Sequence, residues 1–152
     1  MQQTIVTFTE IDILFNNVGM HDPGYHDPHD EDLNIYDHVL NVNLKGDSLC
    51  TKYMVPQMIE NKGGSIINNS SVLDSSATDS PSGSYHVSKG GLAILTKKPA
   101  LSYAKFNMRV NSIQHAAIAT EMSGIPWNDL ENSTIIRYQK GTSTAPLNGT
   151  SI

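Results

Sequence analysis

Apolar positions in this chain alternate between short continuous runs and stripes at helical spacing. Ile11-Asp12-Ile13-Leu14-Phe15 is a short apolar run ending at Asn16-Asn17-Val18-Gly19, which predicts a buried strand over 11–15 feeding a glycine-containing turn. Residues 21–32 are rich in His, Asp and Pro and predict a loop. Ile35, Val39, Val42, Leu49 and Tyr53 then recur at helical spacing, with Met54 and Met58 beside them, and predict a long helix over 32–61. Pro56 is expected to kink or end that helix near its last turn. Gly63-Gly64 breaks the chain, and residues 65–68 predict a second strand. A Ser/Asp/Pro/Gly loop spans 70–84. Helical spacing returns over 85–106 through Leu92, Leu95, Leu101 and Tyr103, and residues 109–113 predict a third strand. From Gln114 onward the pattern is loop-like, with a short helix expected around 130–139.

Strand, helix, strand, helix, strand is the order of parallel βαβ units, so the expected class is α/β with a parallel sheet. Right-handed crossovers place both long helices on one face of that sheet. No internal repeat and no linker interrupt the chain, and residues 1–152 read as a single domain. Composition changes this little: 38% hydrophobic and 16% charged residues are ordinary globular values. A net charge of -5 without a basic stripe argues against a nucleic-acid partner. No run approaches the ~20 apolar residues of a membrane span. Met1-Gln2-Gln3 carries no leader-like charge, so the expected location is cytoplasmic. Cys50, the lone cysteine, reads as a packing residue of the first long helix.

The chemistry concentrates in Tyr85-His86-Val87-Ser88-Lys89, where Tyr85 and Lys89 are four apart on one helical face. A free tyrosine has a pKa of about 10 and is a poor base at neutral pH. A neighbouring ammonium favours the phenolate, so the pair suits proton exchange with an alcohol or a carbonyl. Spacing of this kind more often marks a plain surface pair. Context adds weight: Ser71 follows a strand end, where open α/β sheets bind ligands, and leads by a polar loop to the Tyr85 helix. Asn43 lies inside the preceding helix, where a buried polar side chain needs a partner.

These segments together resemble the classical short-chain dehydrogenase/reductase family over about residues 8–120, with a weaker echo at 146–150. Asp12 to Gly19 is similar to the family's strand and Asn-Asn-Ala-Gly turn, Asn41 to Gly46 to its Asn-bearing helix, and Ser65 to Val72 to its serine strand. Tyr85 to Lys89 matches Tyr-x-x-x-Lys, and Arg109 to Ile113 resembles the strand before the nicotinamide loop. The resemblance implies a Rossmann-like, doubly wound parallel sheet, represented by three recognisable strands and two long helices. It implies hydride transfer between NAD or NADP and a small secondary alcohol or ketone. Tyr85 would then be the general acid/base. Ser71 would bond the substrate oxygen. Lys89 would tune Tyr85 and bind the nicotinamide ribose, and Asn43 would hold a relay water. Asn17 and Gly19 would border the cofactor, with Ile118 and Thr120 at the carboxamide. Asp74, Gly83, Met122 and Trp127 are expected near the substrate.

The sequence also departs from the family pattern. No Gly-x-x-x-Gly-x-Gly occurs, so about two βα units, roughly 60 residues at ~30 per βαβ unit, have no counterpart here. The pattern's last helix and strand are likewise unmatched. The expectation is a truncated, catalytic half whose hold on the cofactor is weak, because the pyrophosphate needs helix-terminal N–H groups. His115-Ala116 stands where the family has Pro-Gly, and Pro99 is expected to kink the second long helix. The His/Asp loop at 21–32 has no standard metal spacing, and no metal is expected. A second function class remains: a non-catalytic remnant that associates through its two long helices, with itself or with a full-length relative. Those helices make a homo-oligomer the expected assembly.

Overall fold

The computed structural model describes residues 2–22, 24, 27–78, 82–116, 118 and 122. Two compact units separate, Met1–Ala116 and Ala117–Ile152. All the helices and strands named belong to the first; in the second, Ile118 and Met122 are exposed. Thr120, Trp127 and the helix expected over 130–139 lie outside the described residues.

The order is α1 (Gln2–Phe8), β1 (Ile13–Asn16), α2 (Leu33–Leu40), a π turn (Asn41–Lys45), α3 (Gly46–Glu60), β2 (Gly64–Asn69), a 3-10 turn (Val72–Asp74), α4 (Gly83–Tyr103), a second 3-10 turn (Ala104–Phe106) and β3 (Met108–Ile113). The helix expected over 32–61 is thus α2, the π turn and α3 run together. Asp32 caps its start, accepting the Asn34 N–H at 2.7 Å, and Asn61 caps its end. Pro56 does not end α3, which continues to Glu60, and α4 runs past Pro99 to Tyr103. Each proline removes one helical hydrogen bond. Both sit among buried residues, Val55 and Met58 around Pro56 and Thr96 near Pro99, so packing holds the turns in place. Helix α1 was not expected: Gln2–Phe8 has no apolar stripe, and Val6 and Phe8 are exposed.

The sheet is parallel throughout, in the order β1-β2-β3. Helix α3 packs on β1 and β2, α4 on β3, and α4 also touches α2 and the π turn, so these helices share one sheet face. Alternation along each strand sorts the side chains into rows. Leu14, Ile66 and Val110 are register partners on the helix side, as are Asn16, Asn68 and Ser112 two residues further along. That face is therefore apolar near the strand starts and polar at the strand ends. Val55, Met58, Ile66, Met108 and Val110 form the core at the apolar end, with Met58 and Ile66 fully buried. The opposite face carries Ile13, Phe15, Ile67, Arg109, Asn111 and Ile113, all exposed except the half-buried Ile67. Among the described residues β1 pairs on one side only.

Two outcomes follow from this packing. Ile66→Ala empties a site at the centre of the core and is expected to lower stability by about 2–5 kcal/mol, read from urea unfolding. The apolar open face and the unpaired β1 edge favour self-association. The 152-residue chain is expected to elute larger than a monomer in size-exclusion chromatography, and Phe15→Lys to shift it toward monomer. A monodisperse wild-type monomer with a sharp thermal transition would refute this.

Candidate active site

Strand β2 supplies the first group. Past its last residue, the Ser70 N–H donates to the Ile113 carbonyl at 2.9 Å, which fixes the chain against the end of β3. Ser71, buried and extended, caps the 3-10 turn, with its Oγ accepting the Leu73 N–H at 3.2 Å. The next residue's N–H, that of Val72, donates to the His115 carbonyl at 3.1 Å, so the altered segment after β3 still braces the Ser71 turn. Asp74 is held as well: its carboxylate accepts from Ser70 Oγ at 2.9 Å and from Gln114 Nε2 at 2.7 and 2.9 Å.

Helix α4 supplies the second and third groups. Ser82 precedes it without a side-chain cap. The Glu31 carboxylate takes the Ser84 N–H instead, at 3.1 and 3.2 Å, from the loop before α2. A carboxylate there satisfies an orphan donor and suits the positive end of the helix. Gly83 lies against it, since a Cβ there would stand 3.0 Å from Glu31 Oε2. Tyr85 in the first turn and Lys89 one turn later are 7% and 4% exposed. The Ser71 side chain hydrogen-bonds the Tyr85 hydroxyl. Lys89 Nζ donates to the Asn69 carbonyl at 2.7 Å and lies 5.5 Å from the centre of the Tyr85 ring. Ser71, Tyr85 and Lys89 therefore come together at the polar end of the sheet.

The π turn supplies the fourth. Its Gly46 N–H reaches back five residues to the Asn41 carbonyl, and Asn43 within it is completely buried. Helix α4 approaches so closely that a Cβ on Gly91 would stand 2.8 Å from Leu44 Cδ2. Asn43 Nδ2 donates to the Met20 carbonyl at 2.8 Å and to Ser88 Oγ at 3.0 Å, while its Oδ1 accepts the Met20 N–H at 2.8 Å. Asn43 thus clamps the turn after β1 onto α4. That clamp sets Gly19 beside the site: a Cβ there would lie 3.7 Å from Asn43 Oδ1 and 3.9 Å from Lys89 Nζ. Asn17 is exposed, and its Oδ1 accepts from Asn69 Nδ2 at 2.7 Å. Ile118 is exposed in the second unit.

Burial dominates the electrostatics. It raises the Tyr85 pKa above 10.0, and the Ser71 hydrogen bond only pulls it back in part. The net direction is opposite to the one expected from Lys89 alone. Burial also lowers Lys89 from 10.5, against the charges of Asp47 and then Asp74. Asp47 itself is pushed up to about 6, by burial first, with Lys89 pulling it down.

Three features escaped the sequence reading. Asp47 is buried, yet its one-turn spacing from Asn43 was a usable sign. His21 packs edge-on against Tyr85, ring centres 6.2 Å apart. Asn16, Asn68 and Thr96 form a buried ladder, with Asn16 Nδ2 donating to Asn68 Oδ1 and Asn68 Nδ2 to Thr96 Oγ1, each at 2.9 Å.

Comparison with known proteins agrees with this fold. The sequence profile of the family described as enoyl-(acyl carrier protein) reductase matches residues 1–144. An uncharacterized oxidoreductase, YxbG of Bacillus subtilis (strain 168), is 44% identical over 112 residues, 74% of this chain and 40% of that protein. A 7alpha-hydroxysteroid dehydrogenase of Paraclostridium sordellii is 39% identical over 77% of this chain and 45% of its own length. Among solved structures, a short-chain dehydrogenase/reductase from Burkholderia xenovorans superposes with a TM-score of 0.77 at 28% identity, covering 92% of this chain and 51% of that one. A gluconate 5-dehydrogenase from Burkholderia cenocepacia J2315, in complex with NADP and tartrate, gives a TM-score of 0.75 at 25% identity, over 80% and 46%. The chain spans about half the length of the relatives it matches. Among the described residues no helix is long and apolar enough to cross a membrane, and no cluster of His, Cys, Asp and Glu forms a metal site. With the profile running through nearly all of the sequence and relatives up to 44% identical, the chain belongs to the short-chain dehydrogenase/reductase family.

Proposed function

We propose that these residues are the proton-transfer half of a nicotinamide-dependent oxidoreductase acting on a small secondary alcohol or ketone. The observation that carries this reading is the meeting of Ser71, Tyr85 and Lys89 in a buried polar cluster at the strand ends. In the reducing direction the Tyr85 hydroxyl gives its proton to the carbonyl oxygen, and in the oxidising direction it takes one from the alcohol. Ser71 Oγ, already against the Tyr85 hydroxyl, orients the same substrate oxygen. Lys89 stabilises the phenolate left behind.

The residues fit a bound NAD or NADP. The Asn69 carbonyl takes one of the three Lys89 N–H donors, leaving donors for ribose hydroxyls. The absent side chain of Gly19 leaves space next to Lys89 and Asn43 that a bulkier residue would fill. When bound, the cofactor supplies or accepts the hydride. Asn17, Ile118 and Thr120 are the further residues assigned to it. The NADP-bound gluconate 5-dehydrogenase supports a nicotinamide cofactor for this family member.

A specific observation also favours self-association through the helices. Val87, Ile94 and Leu101 recur at seven-residue steps on α4, and Leu49 and Tyr53 one turn apart on α3; all are exposed. Such stripes suit a homo-oligomeric interface, which is compatible with catalysis and is also the whole function under the remnant reading.

Two measurements separate these readings. Hydride exchange between millimolar NADH or NADPH and a panel of ketones, followed by nicotinamide absorbance, is expected to fall about 10²-fold or more in Tyr85→Phe. Turnover unaffected by Tyr85→Phe would overturn the assignment. Titration of the 152-residue chain with NADH and NADPH by fluorescence is expected to show millimolar or weaker binding, because no Gly-rich pyrophosphate turn occurs in its sequence. Micromolar affinity would show that the described half holds the cofactor by itself.

A further inference from the structure

Two neighbouring carboxylates start two different helices. Asp32 caps α2 locally, taking the Asn34 N–H at 2.7 Å. Glu31, one residue earlier, reaches across to α4 and takes the Ser84 N–H with both oxygens, at 3.1 and 3.2 Å. The first turn of α4 leaves that donor open. Its Tyr85 and His86 N–H groups both turn to the Ser82 carbonyl, at 3.2 and 3.4 Å, and the Ser82 hydroxyl lies 3.0 Å from Ser84 Oγ rather than on a backbone N–H. Gly83 makes room for the visiting carboxylate, since a Cβ there would stand 3.0 Å from Glu31 Oε2. The Glu31–Asp32 pair therefore ties together the starts of two helices that pack on each other.

The residue after Ser84 is Tyr85, and the segment that ends at Glu31 also begins against Tyr85. Asn43 holds both backbone groups of Met20, and the next residue, His21, sets its ring edge-on to the Tyr85 ring with 6.2 Å between centres. His21 Nδ1–H donates to the Asp22 carbonyl at 2.6 Å, which holds that ring. Residues 21 and 31 thus close on Tyr85 from the ring side and from the backbone side. The two anchors differ in strength. Asn43 is completely buried, whereas Glu31 is half-buried, so the Glu31 end is the one that a single substitution releases.

We propose that Glu31 is a positioning residue for Tyr85: its hold on the Ser84 N–H keeps the 21–31 loop closed over the first turn of α4 and the Tyr85 ring packed against His21. This rests on the reading of Tyr85 as the proton carrier. A phenol that exchanges a proton with a substrate oxygen needs one orientation, and two contacts from the same loop restrict it.

The test needs neither cofactor nor substrate, so it stands apart from the turnover assay of Tyr85→Phe. The 152-residue chain, labelled with ¹³C in its Tyr and His rings, is titrated by NMR and its thermal melt recorded, with Tyr85→Phe and His21→Gln assigning the signals. Burial is the first cause that lifts Tyr85 above 10.0. Glu31→Ala, by opening the loop, is therefore expected to lower the Tyr85 titration by roughly half a unit to one unit and to weaken the His21–Tyr85 ring NOE severalfold. Glu31→Gln, which drops the charge but keeps an acceptor for the Ser84 N–H, is expected to restore both. A helix cap with no positioning role moves the melt alone, so a folded Glu31→Ala with wild-type titration and ring NOE would overturn the proposal. Equal Tyr85 shifts in Glu31→Ala and Glu31→Gln would overturn it too, by tracing the effect to charge. Should Glu31→Ala fail to fold, hydrogen exchange in the wild-type chain decides. Ser84 amide protection and the ring NOE lost together, in urea well below global unfolding, support the proposal. A ring NOE that outlasts the Ser84 protection overturns it.

Discussion

An ammonium group placed out of reach of water sets the terms for everything around it. Lys89 is 4% exposed, and a buried charge destabilises the fold unless hydrogen bonds and opposite charge meet it. The Asn69 carbonyl meets it at the end of β2, which obliges α4 to run close over that strand end. Close approach in turn demands small residues on the inner side of α4: Ser84 and Ser88 are fully buried, and Gly91 leaves room for Leu44. The clamp from Asn43 to Ser88 and Met20 then follows, because the same narrow gap has to satisfy buried polar groups on both sides.

The sheet serves this arrangement through a gradient along its strands. On the helix side the register row Leu14–Ile66–Val110 is apolar, and the next row, Asn16–Asn68–Ser112, is polar. The first row packs on Met58 and Val55 and supplies the burial that holds the layers together. The second links β1 to β2 and β2 to Thr96 of α4 by hydrogen bonds, which are directional and so fix the relative slide of strand and helix. Stability and precision thus come from successive rows of the same face. The groups of the candidate site lie just beyond the polar row, where strand ends in open α/β sheets face ligands.

Much of this was legible in the sequence, and the exceptions have physical causes. The strands and long helices declared themselves through period and punctuation, and the structure adds that Asp32 and Asn61 cap the first long helical segment. Tyr85, Lys89 and Ser71 stood out by residue type and spacing, and the fold does bring them together. The π turn left no trace, because one extra residue per turn changes hydrogen-bond register without changing composition. Pro56 was read as a kink or an end and Pro99 as a kink; both helices continue past their prolines, each of which removes only a single hydrogen bond. Asp47 was easy to pass over for a different reason: a lone acid in a helix normally marks the solvent side, and only its one-turn spacing from Asn43 hinted at its burial. Glu31 capping α4 from another loop is likewise a tertiary contact with no local sign.

The two sheet faces have different dependences. Every bond that positions Ser71, Tyr85, Lys89 and Asn43 is made between residues on the helix side or at the strand ends. None of these bonds uses the side chains of Ile13, Phe15, Ile67 or Ile113 on the open face, although the Ile113 carbonyl takes the Ser70 N–H. What covers that face therefore bears on association, while the arrangement of Ser71, Tyr85 and Lys89 is set by α4 and the strand ends. A substitution on the open face acts first on solubility, whereas one at Ser88 or Gly91 acts first on the placement of Lys89.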